Sequence, residues 1–185
     1  MRRFAELLGA LGSVRGFDYP YMQAATRRKA PDKLQVLLLA HRAELQAMRA
    51  TSAPGDKLVL AGKSMGGRVG CHVAAEAADA SSTPPDGLVC FGYPLRGQNG
   101  KLRDEVLLAL RTPVLFVQGT RDSLCALSEL EQVRAHMTAR SELFVVDGGD
   151  HSLEVTKTAL KARGTSQAEV ELGVQAAIRD FCASL

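Results

Sequence analysis

The sequence of 185 residues contains no tryptophan, and aromatic residues make up only 5% of it. Its four cysteines lie far apart and form no C-x-x-C pair, which argues against a zinc site and against a disulfide framework. Isolated cysteines of this kind are typical of a reducing compartment, so we expect a cytoplasmic or nuclear protein that is not secreted. We expect neither a metal ion nor a cofactor.

The sequence also lacks a large excess of either sign of charge. The net charge is +3, and the single dense basic run, Arg27–Lys29, has no aromatic residues between its cations that could stack on bases. We therefore expect no nucleic-acid partner. No apolar run is long enough to cross a bilayer, so we expect no membrane partner either. Arg2 and Arg3 are followed by Glu6 and by apolar residues at helical spacing, which indicates an amphipathic helix rather than a transit peptide.

Short apolar runs alternate with longer amphipathic segments along the chain. The runs predict strands at 14–18, 58–61, 88–91, 114–118 and 143–146. The amphipathic segments predict helices at 2–11, 32–53, 69–78, 103–110, 127–139 and 167–184, with loops or linkers at 21–30 and 80–87. Continuous apolar strands that alternate with helices are typical of a mostly parallel sheet with helices on both faces. The length suits a single α/β domain over residues 1–185.

The stretch 58–70 carries the clearest chemical signal, because an apolar strand turns there directly into an alanine-rich helix. Gly62-Lys63-Ser64-Met65-Gly66 fits G-x-S-x-G, the nucleophile elbow, in which a serine occupies a sharp turn between strand and helix. A side chain at either glycine is expected to collide with the strand or the helix. The free N–H groups at the start of the helix would face an oxyanion formed at Ser64.

Two other interpretations of this stretch are open. A phosphate-binding P-loop, G-x-x-x-x-G-K-[ST], requires glycine at position 57, where the chain has Lys57. A glycine-rich turn without chemistry is the stronger alternative, because the five-residue pattern occurs by chance in many sequences. The rest of the chain has to decide between a nucleophile and a structural turn.

Ser64, Asp122 and His151 each follow a different predicted strand. Because functional side chains of a parallel sheet gather beyond the carboxyl ends of its strands, we expect the three to lie close together. Their order along the chain, serine, acid, histidine, is that of α/β-hydrolases. A serine hydroxyl needs a base to accept its proton, and that base needs a carboxylate to orient it. The three residues therefore predict a catalytic triad.

Each of these assignments has a structural alternative. Asp122 could be a turn or N-cap aspartate, and His151 an exposed loop histidine. Asp147 and Asp150 are rival acids, although they adjoin the histidine in sequence and cannot easily reach its far nitrogen. Three further reactive side chains are expected to be packing residues: His41, His72 and Cys125.

Five segments resemble the α/β-hydrolase family of testis-expressed protein 30 and the hydrolase-like domain of NSL-complex subunit 3: Gly62–Arg68, Gly92–Leu95, Lys101–Glu105, Pro113–Gly119 and Asp147–Ser152. The motif Gly-Gly-Asp-His-Ser is most similar to the plant branch of this family. The resemblance covers nearly the whole chain and implies an α/β-hydrolase fold. It also implies a triad of Ser64, Asp122 and His151, with the Met65 amide as an oxyanion donor. It does not imply a substrate.

The chain departs from the family at its start. Family members usually open with an apolar strand and a His-Gly-Ala-Gly-like turn, which supplies the second oxyanion amide, ahead of the helix that begins here at Arg2. We therefore predict an amino-terminally shortened fold that lacks the first strands. Either the strand at 14–18 shifts to pair with 58–61, or a gap stays between them. We favour the gap because the helix and loop lengths still suit the original spacing.

Two functions follow from these residues. The first is a serine hydrolase, a carboxylesterase or thioesterase that acts on a small acyl substrate through Ser64, His151 and Asp122. The alternative is a catalytically weak or inactive hydrolase-fold module that binds a protein partner. Loss of one oxyanion donor lowers the rate about 100- to 1,000-fold, and the resemblance includes a relative that serves as a chromatin-complex subunit.

Overall fold

Strands and helices alternate along the chain in a computed structural model that describes residues 2–23, 30–79, 83–97 and 100–185. The strands are β1 (Val59–Lys63), β2 (Gly87–Phe91), β3 (Val114–Gly119) and β4 (Ser141–Val146). The helices are α1 (Arg2–Gly9), α2 (Pro20–Gln23), α3 (Leu34–Thr51), α4 (Met65–Asp79), α5 (Glu105–Leu108), α6 (Leu127–His136), α7 (Lys157–Arg163) and α8 (Gln167–Ala183). The predicted loop at 21–30 and linker at 80–87 fall partly outside the described residues.

The four described strands form one parallel sheet in the order β1-β2-β3-β4. The register places Gly62 opposite Cys90, and Phe116 opposite both Cys90 and Leu143. All four carboxyl ends therefore meet at one edge of the sheet. The prediction of a parallel sheet with helices on both faces is confirmed.

The hydrophobic core lies in two layers, because successive side chains of a strand point to opposite faces. Val89, Phe91, Leu115 and Val117 face α1 and α8, where the ring of Phe4 stacks on that of Phe91 at 4.4 Å. The residues that alternate with them face α4, α5 and α6: Leu88, Cys90, Val114 and Phe116. None of the helices in the described ranges is long and apolar enough to cross a bilayer.

Helix α7 was not predicted, because its sequence is short and mostly polar. Thr156 caps its first turn by accepting a hydrogen bond from the Ala159 N–H at 3.3 Å. Gly164 ends the helix in the left-handed conformation, with φ of 63°. End signals such as these act locally, so the helix forms without the long apolar stripe on which the prediction relied.

The predicted strand at 14–18 is wrong, because the described residues of this segment form neither a strand nor a ladder with β1. Two glycines, Gly12 and Gly16, weaken it as a strand, and the side chain of Val14 is 45% exposed. Neither expected arrangement, a shifted pair or a gap between two strands, is therefore present. Among the described strands β1 is an edge strand.

The outer edge of β1 has free hydrogen-bonding capacity. Leu58 O accepts the Asp86 N–H at 2.8 Å, and the Ser64 N–H donates to Phe91 O at 2.9 Å, so these residues face β2. Because backbone direction alternates along a parallel strand, Val59 and Ala61 direct their N–H and C=O groups to the other side, where no described strand pairs with them.

A third cluster packs α3 against α4, and it contains a buried histidine. The side chain of His41 is 6% exposed, and its Nδ1 lies 3.1 Å from the Tyr19 hydroxyl. Burial lowers the pKa of His41 to about 4 and raises the pKa of Tyr19. His41 is therefore neutral at pH 7 and is a packing residue, as the sequence indicated.

This pKa predicts a pH-dependent stability. Below pH 6.5 the unfolded chain binds a proton at His41 while the folded chain does not, so the free energy of unfolding should fall as the pH drops towards 4. The loss should reach up to about 3 kcal/mol. Urea titrations between pH 7 and pH 4 should show this slope flattened in His41→Gln but not in His136→Gln, which changes an exposed histidine of α6. An unchanged slope in His41→Gln would show that other groups cause it.

Candidate active site

Ser64 lies in the tight turn between β1 and α4. Its φ of 52° falls in the left-handed region, which a residue with a side chain rarely adopts. The turn is held from both sides, because the Ser64 N–H donates to Phe91 O at 2.9 Å and Ser64 O accepts the Arg68 N–H at 3.1 Å. A strained conformation fixed in this way holds the hydroxyl at the carboxyl edge of the sheet.

The turn needs glycine at the two positions where the backbones of β1 and α4 touch. Only one of the two glycines that the sequence suggested is such a position. A Cβ at Gly62 would overlap the backbone of Gly66 and Gly67. A Cβ at Gly67 would lie 2.8 Å from Gly62 O and 3.3 Å from the Cys90 sulfur. A Cβ at Gly66 would meet nothing within 4 Å, so the expected collision at Gly66 is wrong. The pair in contact is Gly62 and Gly67, because the first turn of α4 passes directly over the end of β1.

Asp122 lies in the turn after β3, and its side chain is fully buried (0% exposed). Oδ1 accepts the Leu124 N–H at 2.9 Å, and Oδ2 accepts the Gln118 amide at 2.6 Å. Burial by itself raises the pKa of Asp122, but the hydrogen bonds from His151, Leu124 and Gln118 outweigh it and leave the pKa below its ordinary value. The carboxylate is therefore ionised at neutral pH.

Gln118, near the end of β3, was not singled out in the sequence. It is completely buried, and while its Nε2 holds Asp122, its Oε1 accepts the Tyr93 N–H at 2.9 Å. The amide therefore links the turn after β2 to the turn after β3. A polar residue at the carboxyl end of an otherwise apolar strand was the available signal, because a buried amide needs partners for both of its ends.

His151 completes a hydrogen-bonded chain. Its Nδ1 lies 2.8 Å from Asp122 Oδ2, and its Nε2 lies 2.9 Å from Ser64 Oγ. Because Asp122 is ionised, Nδ1 carries the proton and donates it, which leaves the lone pair of Nε2 to accept the serine hydroxyl. The three residues that the sequence placed after three different strands thus meet in one row.

The loop that carries His151 is held by two other groups. Asp150 Oδ1 accepts the N–H groups of Ser152 at 2.7 Å and Glu154 at 3.1 Å. Arg3, on α1, donates to Ser152 O at 2.6 Å. Asp147 forms an ion pair with Arg163 at 2.8 Å. The two rival acids are therefore engaged elsewhere, and Asp122 is the carboxylate that contacts the imidazole.

The first turn of α4 provides backbone donors beside the serine. The N–H of Met65 is the first of the helix, and such a group has no acceptor inside its own helix. The positive end of the helix dipole is also directed towards Ser64. An anion formed at the serine would lie against both.

The sequence of this chain matches the alpha/beta hydrolase domain over residues 1–182, which is nearly its whole length. The chain belongs to this family of α/β-hydrolase domains. The narrower likeness to testis-expressed protein 30 and NSL-complex subunit 3 stays a prediction.

Solved structures share the fold of this α/β-hydrolase domain at low sequence identity. A serine hydrolase homologue from Coxiella burnetii is 16% identical with a TM-score of 0.63, over 97% of this chain and 74% of that one. A monoacylglycerol lipase from Paleococcus ferrophilus is 13% identical with a TM-score of 0.71, over 99% and 89%. Est1E from Butyrivibrio proteoclasticus is 16% identical with a TM-score of 0.57, over 83% and 70%. These likenesses establish the α/β-hydrolase fold.

Within the described residues, the cysteine side chains of the α/β-hydrolase domain form no hydrogen bond with the side chains of this row. Cys125 is buried, and burial, as the largest cause, raises the pKa of its thiol to about 12. Cys71 and Cys90 are buried side by side, with their sulfurs 3.7 Å apart. Within the described ranges, no group of three or more histidine, cysteine, aspartate or glutamate side chains is arranged to hold a metal ion.

The contact between Gly62 and Gly67 predicts a sharp difference between two neighbouring substitutions. Gly62→Ala forces the backbones of β1 and α4 apart and should lower the free energy of unfolding by about 3 kcal/mol or more. Gly66→Ala adds a methyl group in open space on a helix and should stay within about 1 kcal/mol of wild type. Urea denaturation of both variants measures this difference. Equal losses in the two would contradict the packing described here.

Proposed function

We propose that this protein is a serine hydrolase that cleaves small carboxylic esters or thioesters through an acyl-Ser64 intermediate. The observation that carries the proposal is the continuous hydrogen-bonded row from Ser64 through His151 to Asp122, with bonds of 2.9 and 2.8 Å. A buried carboxylate, an oriented imidazole and a strained serine turn are what nucleophilic acyl transfer requires. A structural turn without chemistry would need none of the three.

The first half of the reaction forms the acyl-enzyme. Ser64 Oγ attacks the carbonyl carbon of the substrate while its proton passes to His151 Nε2. Asp122 keeps Nδ1 protonated and stabilises the imidazolium. The carbonyl oxygen becomes an oxyanion that accepts a hydrogen bond from the Met65 N–H. As the tetrahedral intermediate collapses, the bond to the leaving group breaks and His151 donates its proton to the departing oxygen or sulfur.

The second half releases the acid. His151 Nε2 takes a proton from water, whose oxygen attacks the acyl carbon, and a second oxyanion forms against Met65. Collapse of this intermediate breaks the bond to Ser64 Oγ, which recovers its proton from His151. The carboxylic acid then leaves, and the hydrogen-bonded row returns to its starting state. No step uses a metal ion or a cofactor.

Met65 supplies one oxyanion donor in the proposed hydrolase, and each such donor changes the rate by about 100- to 1,000-fold. Activated esters, whose leaving groups need less stabilisation, are the substrates with which to detect the activity first.

Covalent labelling tests the nucleophile without knowledge of the natural substrate. A fluorophosphonate probe should phosphonylate Ser64, and the labelling should be abolished in Ser64→Ala and strongly reduced in His151→Ala, since the hydroxyl then lacks its base. Ser128→Ala, an exposed serine of α6, is the matched control and should label like wild type. Peptide mapping identifies the labelled residue. Absence of labelling, or equal labelling in His151→Ala, would leave a hydrolase fold that does not carry out this chemistry.

The carboxylate can be tested against its rival. Asp122→Asn removes the charge that fixes the tautomer of His151 and should lower kcat for 4-nitrophenyl acetate by about 1,000- to 10,000-fold. Asp147→Asn is the same substitution on an exposed acid that pairs with Arg163, and it should change kcat by less than about threefold. If the Asp147 variant loses more activity than the Asp122 variant, the acid has been assigned to the wrong residue.

A further inference from the structure

The carboxylate of Asp122 accepts three hydrogen bonds, and they are divided unequally between its two oxygens. Oδ1 accepts the N–H of Leu124, which belongs to the same turn, at 2.9 Å. Oδ2 has two partners, His151 Nδ1 at 2.8 Å and the side-chain amide of Gln118 at 2.6 Å. Gln118 therefore binds the same oxygen through which Asp122 contacts the imidazole.

The orientation of the Gln118 amide is decided by its two partners. Its Nε2 donates to Asp122, while its Oε1 accepts the Tyr93 N–H at 2.9 Å. If the amide were turned over, its oxygen would face a carboxylate oxygen and its NH2 group would face an N–H, so both hydrogen bonds would be lost. Because the side chain is completely buried, solvent does not replace them. One donor is thus directed permanently at Asp122 Oδ2.

The backbone of Gly92 closes another side of this contact. Gly92 follows β2 directly, its N–H donates to Val117 O at 2.9 Å, and its φ is 56°. A Cβ at this position would lie 2.6 Å from His151 O, 3.3 Å from His151 Nδ1 and 3.5 Å from Asp122 Oδ2. The imidazole and the carboxylate are therefore packed against bare backbone at Gly92, and Gln118 holds Oδ2 from β3.

The other titratable groups of this network stay neutral. Burial, and next the charge of Asp122, raise the pKa of the Cys125 thiol to about 12. Burial also raises the pKa of Tyr93, whose hydroxyl donates to the backbone carbonyl of Arg103 at 3.3 Å. Both groups are therefore neutral up to about pH 9. Gln118 adds a donor to Asp122 without adding a charge.

We propose that Gln118 is a positioning residue of the hydrolase, which keeps Asp122 Oδ2 directed at His151 and supplies it with a donor that does not ionise. The inference rests on the proposed function and names a residue that acts on the reaction through Asp122. When His151 takes the proton of Ser64, the imidazolium is stabilised by a carboxylate that has to be ionised and correctly placed. A hydrogen bond from a neutral amide favours the ionised carboxylate and leaves it no other cation to pair with.

Replacement of the amide by an acid of the same shape tests this role. In Gln118→Glu a protonated carboxyl still donates to Asp122 and accepts from Tyr93, so at pH 6 fluorophosphonate should label the variant within about threefold of the wild-type rate. Burial and the like charge of Asp122 raise the pKa of the new carboxyl, which should lose its proton between about pH 6 and 9. The two anions then repel each other, and by pH 9 the rate relative to wild type should fall about tenfold or more.

Two further variants separate the donor from the charge. Gln118→Leu lacks the donor at every pH, so its labelling rate should be about tenfold below wild type throughout. Its KM for 4-nitrophenyl acetate should stay within about twofold of wild type, because a completely buried side chain does not contact the ester. Gln132→Glu makes the acid substitution on an exposed residue of α6 and should label like wild type from pH 6 to 9.

Stability measures the same contact without any reaction. The folded pKa of the new carboxyl in Gln118→Glu lies above its unfolded value of about 4.3, so the free energy of unfolding should fall as the pH rises from 5 to 8. In Gln118→Glu/Asp122→Asn the like charge is absent, and the fall should be about half as large or less. Urea titrations give both slopes, each relative to the parent chain that keeps Gln118.

The outcomes distinguish this inference from the proposed function. Wild-type labelling at Ser64 with an equal rate in Gln118→Leu, or with no alkaline loss in Gln118→Glu, would overturn the role of Gln118 and leave the hydrolase intact. An equal alkaline loss in Gln132→Glu would trace the effect to surface charge and overturn that role as well. If wild type is not labelled, the hydrolase is overturned; unequal stability slopes then still support the hold of Gln118 on the ionised Asp122, and equal slopes overturn it.

Discussion

The close approach of β1 and α4 at Gly62 and Gly67 is the constraint on which the rest of this structure depends. With side chains at these two positions, the helix could not begin directly above the end of its strand. With glycine there, the chain reverses within a few residues and Ser64 is forced into a left-handed backbone conformation. Strain at one residue is tolerated because the paired strand β1 on one side and the 15-residue helix α4 on the other outweigh it.

The partners of the serine are positioned by contacts that span the whole sheet. Asp122 is held by Gln118, whose other end binds the turn after β2. The loop that carries His151 is held by Arg3, from the first helix of the chain. Residues outside the row, some of them far away in sequence, therefore hold Asp122 and the loop of His151 in place. In the proposed hydrolase, pre-organisation of this kind would allow electrostatic stabilisation without reorganisation of the site during the reaction.

The acids around His151 have different roles. Those nearest to it in sequence are engaged in turn formation and in an ion pair, while Asp122 alone of the three faces the imidazole. This division of roles cannot be seen in the net charge of +3, which reports only a sum.

Patterns that extend over a few neighbouring residues could be interpreted from the sequence. They predicted the parallel sheet, most helix positions and the turn at Ser64. Continuous apolar runs and helical spacing reflect burial of each element, so four strands were located within about two residues. The strand expected at 14–18 is absent because a strand needs a partner, and pairing is a property of the fold rather than of the segment. The helix at 157–163 was missed because its apolar stripe is weak, although its end signals at Thr156 and Gly164 are local and stand in the sequence.

The order of serine, acid and histidine along the chain identified three candidate residues, but that order does not specify the distances between their side chains. Tertiary structure decided which of three nearby aspartates meets the imidazole, that Gly67 rather than Gly66 contacts Gly62, and that Gln118 supports Asp122. The physical reason for the first is that the loops carrying Asp122 and His151 follow different strands, so the carboxylate and the imidazole meet only after the sheet has assembled. The other two relations are local in sequence, but they depend on the path of the turn over β1 and on which partners a buried amide finds.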